Sequence, residues 1–142
     1  TSEEWRKFRY DSITNVVNMI AKGVHEKKKQ ISASVFATPT RARKLVRQAW
    51  DEWDLDFVFP MIYYKFYDEP IDFVREGTAE GVETLAGSIP LYTAQYLHDK
   101  TNEEVKGFIE AAKAGGAAGL ALYDYGLLND EFLETIKTHT KA

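Results

Sequence analysis

Nowhere in this chain does one strand-like run follow another without a helix-period segment between them, and that spacing is the strongest constraint on its fold. The first segment, Glu3 to Val24, carries Ile13, Val16, Val17, Ile20 and Val24 along one stripe at the helical period, with Ser2 as its cap. Ile31 to Phe36 then reads as a strand. Thr38 followed by Pro39 has the cap-then-proline order that opens a helix, and Ala42, Leu45, Val46, Ala49, Trp50 and Trp53 continue it at helical spacing. Leu55 to Tyr64 is almost continuously apolar, as in a strand of a covered parallel sheet, although Pro60 cannot donate to a central ladder and predicts a bulge or an unpaired stretch.

Asp68, Glu69 and Pro70 predict the start of a third helix ending near Gly87, and Ile89 to Leu97 reads as the third strand. Thr101 and Glu104 have capping-box spacing ahead of Val105, Phe108, Ile109 and Ala112, and Gly115 with Gly116 can end that helix. The last unit is strand Leu120 to Tyr125, Gly126 as a turn, Asn129 as a cap and a helix carrying Phe132, Leu133 and Ile136. The chain therefore reads as an α/β protein, a helix followed by four consecutive βα units, residues 1–142 forming one domain.

Strands separated by helices must pair in parallel. Two layouts satisfy this: an open doubly wound sheet, or half of a (β/α)8 TIM barrel, which takes about 30 residues per unit. No strand is followed by G-x-G-x-x-G, and the cluster Gly115, Gly116 and Gly119 precedes a strand, so a dinucleotide fold has little support. An open sheet would instead offer phosphate a helix N-terminus at Thr38 or Thr101.

Composition narrows the function classes. With 44% hydrophobic and 13% aromatic residues the chain can bury a core. Its net charge of −4, with no basic block beyond Lys27, Lys28 and Lys29, argues against nucleic acid or an anionic membrane as partner. No apolar run approaches the roughly 20 residues of a bilayer span. Cysteine is absent, so disulfides, thiolate metal sites and cysteine nucleophiles are excluded. His25, His98 and His139 are too scattered for a metal spacing, no cofactor motif occurs, and His25 and His139 fall at helix ends where the dipole suits them. Ser32 and Ser34 have no visible base, and there is no nucleophile elbow.

At Leu55 to Tyr67, LDFVFPMIYYKFY, the chain resembles the glycoside-hydrolase-family-10-like proteins, bacterial (β/α)8 barrels. Trp5, Arg6, Arg9, Asp11 and Ile13 look like the helix after that family's fourth strand. Ile31 to Pro39 looks like its fifth strand, Val46, Gln48, Trp50 and Trp53 like the next helix, and Gly119 to Tyr125 like its eighth strand. The resemblance implies the C-terminal half of a barrel, an extracytoplasmic parent, and an oligo- or polysaccharide as partner. It also implies that strands one to four, with the family's Asp-aromatic-Pro motif, lie outside the chain, which opens on Thr1 rather than Met. This half alone would then be catalytically incomplete.

Glycoside hydrolysis needs two carboxyl groups flanking the scissile bond, and barrel sites form where strands end. The carboxylates just past the strands are Asp68, Glu69, Asp99 and Asp124. Asp124 is the catalytic candidate, because it ends an apolar strand; its structural alternative is a bond to nearby backbone amides. Asp68 and Glu69 read as caps and Asp99 as a solvated turn. The strand expected to carry a nucleophile reads LYTAQYL, with Gln95 in place of an acid. Tyr63, Tyr67, Gln95, Tyr96 and Tyr125 are expected to line the cleft, with Lys65 and His98 at its rim, since aromatic faces stack on sugars and tyrosyl hydroxyls bond them. A non-catalytic carbohydrate-binding or assembly module is the alternative. Two open sheet edges invite pairing, which predicts a homodimer or a missing half-barrel as partner.

Overall fold

The computed structural model describes residues 2–140. Helix α1 (Glu3–Glu26) is capped by Ser2, whose side chain accepts from the Trp5 N–H, and is followed by β1 (Ser32–Phe36). Then come the short α2 (Pro39–Arg41), β2 (Phe57–Met61), α3 (Asp72–Leu85), β3 (Tyr92–Tyr96), α4 (Asn102–Ala114), β4 (Gly119–Tyr123) and α5 (Asp130–Thr140). All strand pairs are parallel and the order in the sheet is β1-β2-β3-β4. That order decides between the two layouts. A doubly wound sheet reverses direction at a switch point, whereas a strand order that follows the chain without reversal is the winding of a barrel. The protein is a half-barrel-like α/β fold.

Pro60 marks the weak place in the sheet. Val58 donates to Pro90 O on the β3 side, and two residues later the next donor on that side would be Pro60, which has none. Pairing of β2 with β3 is reduced to a bridge at Val58 and Leu91 and a contact at Met61 and Ala94. The register between them is unchanged, so the proline leaves an unpaired gap and not a bulge.

The core lies between the sheet and its helices, in two clusters. One joins Ile62, Val74, Leu97, Val105, Phe108 and Ile109; the other joins Val35, Trp50, Trp53, Val58 and Leu91, with Ile13 and Val17 of α1 packed on it. The capping box at Thr101 and Glu104 forms with both bonds in place, and Asn129 accepts from the Phe132 N–H. His25 closes the end of α1 onto Asp56, 3.1 Å away, whose carboxylate also accepts from the Ile31 N–H and is held below its ordinary pKa by that bond first and by His25 second. Among the described residues no helix is long and apolar enough to cross a membrane.

Two local expectations are corrected. The second helix does not run from Pro39 through Trp53. After Arg41 the chain widens into a π turn (Ala42–Val46), Arg47 enters the left-handed region at φ 62°, and a short 3-10 turn (Trp50–Glu52) follows. Thr38 still caps the start through the Arg41 N–H. Burial of Trp50 overrides the helical period: its indole N–H donates to Phe36 O, the Gln48 side chain accepts from the Phe36 N–H, and Leu45 and Val46 are turned to solvent. Asp68 and Glu69 do not cap α3 either. Asp68 ends a 3-10 turn (Tyr64–Tyr67) at φ 55°, Glu69 pairs with Arg41, and Ile71 precedes the helix without a side-chain cap.

Candidate functional site

Side chains alternate across a strand, and here the helices cover one face of the sheet. Val35, Val58, Thr93 and Leu97 point into the helix layer, where the Thr93 hydroxyl meets that of Thr78 on α3 at 2.7 Å. The opposite parity presents Ser34 and Phe36 of β1, Phe57, Phe59 and Met61 of β2, Tyr92 and Tyr96 of β3, and Tyr123 of β4 to the uncovered face.

These rings fall into two groups, one toward each end of the strands. Near the strand starts, Phe57 and Phe59 are 5.5 Å apart, and Tyr92 lies 6.1 Å from the first and 5.6 Å from the second. Gly119 makes room there, since a Cβ at that position would sit 2.8 Å from Tyr92 Cδ1. Toward the C-terminal strand ends, Tyr96 lies 5.9 Å from Tyr63 and 5.4 Å from Tyr123, while Phe36 meets Tyr67 edge-on at 5.4 Å. A cleft of about 510 Å³ opens at this end, lined by Ser34, Phe36, Met61, Tyr63, Phe66, Tyr67, Tyr96 and Tyr123. Its location is the one a barrel fold reserves for chemistry.

The electrostatics of the cleft are those of neutral phenols. Burial pushes the Tyr63 hydroxyl above its ordinary pKa, helped by the neighbouring Tyr123, Tyr67 and Tyr96. Burial likewise raises Tyr67, opposed by a bond from the Ala37 backbone and by Arg41, whose guanidinium lies 5.6 Å from the ring centre. The Tyr63 and Tyr67 phenols therefore remain both donor and acceptor at neutral pH. None of the residues lining the cleft is charged.

Of the residues singled out in the sequence, Tyr63, Tyr67 and Tyr96 converge on the cleft. Lys65 and His98 gather at a rim formed by the β3–α4 loop. Lys65 Nζ bonds Asp99 O at 2.8 Å and Glu104 Oε1 at 2.6 Å, and His98 lies parallel to Tyr96 at 5.6 Å with Nδ1 2.8 Å from Asp99 Oδ2. Burial opposes ionisation of Glu104, but Lys65, the Thr101 N–H and the Tyr64 hydroxyl together hold its pKa down to about 2.

Gln95 is not in the cleft. It is fully buried on the helix side, where its amide donates to Ile62 O at 2.7 Å and its Oε1 has no partner. Tyr125 does not line the cleft either: Tyr123 and Tyr125 share strand parity, but the chain leaves β4 after Tyr123 and a 3-10 turn (Tyr125–Leu127) carries Tyr125 out to 88% exposure. Asp124 accepts from the Gly126 N–H at 2.8 Å and caps that turn, and the peptide joining it to Tyr123 is cis. The cleft also takes in Ser34, Phe36, Met61, Phe66 and Tyr123, none of which was expected to line it. Strand alternation was the available signal for all of them but Phe66, once the covered face was known.

Among the described residues no group of three His, Asp or Glu side chains is placed to hold a metal ion. No known protein family, curated protein or solved structure matches the chain.

Proposed function

We propose that this chain binds a saccharide on the aromatic face at the C-terminal end of its parallel sheet. The observation that carries the reading is the cleft of neutral tyrosines with a stacked rim: flat apolar rings for sugar faces, phenols and Ser34 for hydroxyl groups. Its electrical neutrality suits a polyhydroxylated ligand. In the glycoside-hydrolase setting implied by the sequence resemblance, Asp124 at the end of β4 would be the one carboxylate this chain brings, and its catalytic counterpart would come from elsewhere. The absence of charge from the cleft lining favours binding over hydrolysis by this chain alone. An array of oligosaccharides of bacterial and plant origin, read by the tyrosine ring resonances in NMR, tests this: ligands should shift Tyr63, Tyr96 and Tyr123 together, and the reading fails if no saccharide moves them.

A closed (β/α)8 ring has one helix per strand, and the described residues bring five helices to four strands. Two copies would crowd α1 of one and α5 of the other into a single gap between strands. A partner of four strands and three helices, in the same or another polypeptide, fits better than a second copy. Two observations support a missing partner. Trp5, Phe8, Val16, Met19 and Ile20 form an exposed apolar stripe on α1, each at least half exposed. The chain's accessible surface is 8485 Å², whereas a closed monomer of its mass exposes about 7,500 Å². The excess, about 1,000 Å², is the size of one side of a stable interface.

A further inference from the structure

The basic residues of this acidic chain are not spread evenly, and one group of them surrounds a second cavity. Between the N-terminal half of α1 and the irregular segment after β1 lies a pocket of about 410 Å³ lined by Arg6, Tyr10, Thr40, Arg43, Lys44 and Arg47. Four of the six are cations, the other two carry hydroxyls, and none is a carboxylate. Arg6 and Tyr10 are one helical turn apart on α1 and share a face; the other four come from the segment whose expected helix is broken.

The break is what assembles the site. On a regular helix Lys44 and Arg47 would follow the ordinary i, i+3 spacing along one side. Instead Arg47 takes the left-handed conformation at φ 62° and folds its guanidinium back onto the carbonyls of Arg43, at 3.0 Å, and Lys44. Its Nε is buried and has no partner. Arg43 is held from behind by Asp51, at 2.6 and 2.8 Å, and by Glu52 at 2.7 Å. Among the described residues, Arg6, Lys44 and Arg47 have no carboxylate within ion-pair distance. Three uncompensated cations are thus gathered around one concave surface, together with donors suited to oxygen acceptors.

We propose that this pocket is an oxyanion site, which takes a phosphate, sulfate or carboxylate group. Guanidinium groups match the geometry of such oxygens, and the Tyr10 and Thr40 hydroxyls supply neutral donors. The site is distinct from the aromatic cleft and does not depend on what the cleft binds. Thr40 lies four residues beyond Phe36, which lines the cleft, so at most about 14 Å of extended chain separates them. An anionic substituent on a long ligand could therefore reach it.

The test is an NMR titration of the full chain with inorganic phosphate, against chloride at matched ionic strength, observing the arginine Nε–Hε signals. Phosphate should shift the Arg6 and Arg47 signals saturably where chloride does not. Arg47→Gln combined with Lys44→Gln should weaken binding about tenfold or more. Arg6→Gln, on the surface of α1, serves as the second variant if the double change unfolds the segment. Equal responses to phosphate and chloride, or binding unaltered in Arg6→Gln and in any folded double variant, would overturn the proposal. Oligogalacturonate separates the sources: a tighter response than to phosphate at these signals assigns the anion to an acidic saccharide, and an equal one to a free oxyanion.

Discussion

Gln95 and Tyr96 are adjacent in the chain and work on opposite sides of the sheet. Tyr96 stands in the open cleft between Tyr63 and Tyr123, whereas the Gln95 amide is sealed under the helices on Ile62 O. The two positions should therefore fail in different ways. Tyr96→Ala should weaken saccharide binding about tenfold, the loss of a ring contact, with little change in unfolding. Gln95→Ala should leave the cleft intact but cost about 2 kcal/mol, because it strips a buried carbonyl of its partner. Denaturant unfolding and a binding titration on both variants check the pair.

Asp124 holds a turn whatever else it does. Its carboxylate accepts from the Gly126 N–H, and an asparagine can do the same through its carbonyl oxygen. Asp124→Asn should keep the melting temperature, and Asp124→Ala should lower stability by about 1 kcal/mol. If saccharide hydrolysis is measured in an assembled barrel, Asp124→Asn should abolish turnover and leave affinity nearly unchanged; loss of affinity with normal turnover would remove Asp124 from the chemistry.

Glu104 gives the fold an acid-sensitive point. Its folded pKa, about 2, lies below the ordinary 4.5, so the stabilisation it provides is complete above about 4.5 and is lost as pH falls toward 2. Denaturation midpoints between pH 6 and 2 should decline, and Glu104→Gln should flatten the part of that decline below pH 4.5. A variant with the wild-type slope would assign the acid sensitivity to other carboxylates such as Asp56 and Asp72, which are also depressed.

The α1 stripe should make the isolated chain sticky. Met19 is 68% exposed and Phe8 59%, in a region where soluble monomers rarely leave apolar side chains grouped. Light scattering at increasing concentration should show concentration-dependent association, and Phe8→Glu with Met19→Lys should reduce it without loss of helicity. A wild-type chain that stays monomeric at high concentration would take away the support for a missing partner.

What could be read from the residues alone is the order and kind of the elements. Caps at Ser2, Thr101 and Asn129 and the period of each apolar stripe are local properties, carried by neighbours a turn or less apart. The absence of any two consecutive strands then requires parallel pairing. Whether the sheet winds in one direction, which face the helices cover, and so which of Gln95 and Tyr96 meets a ligand, depends on contacts between residues tens of positions apart. The same is true of the broken second helix, where the stripe ending in Trp50 and Trp53 had the right period but burial of the two indoles drew the chain off its axis. The basic pocket exists only because of that break: local spacing can name Arg43, Lys44 and Arg47, but only packing against α1 brings them round one cavity with Arg6.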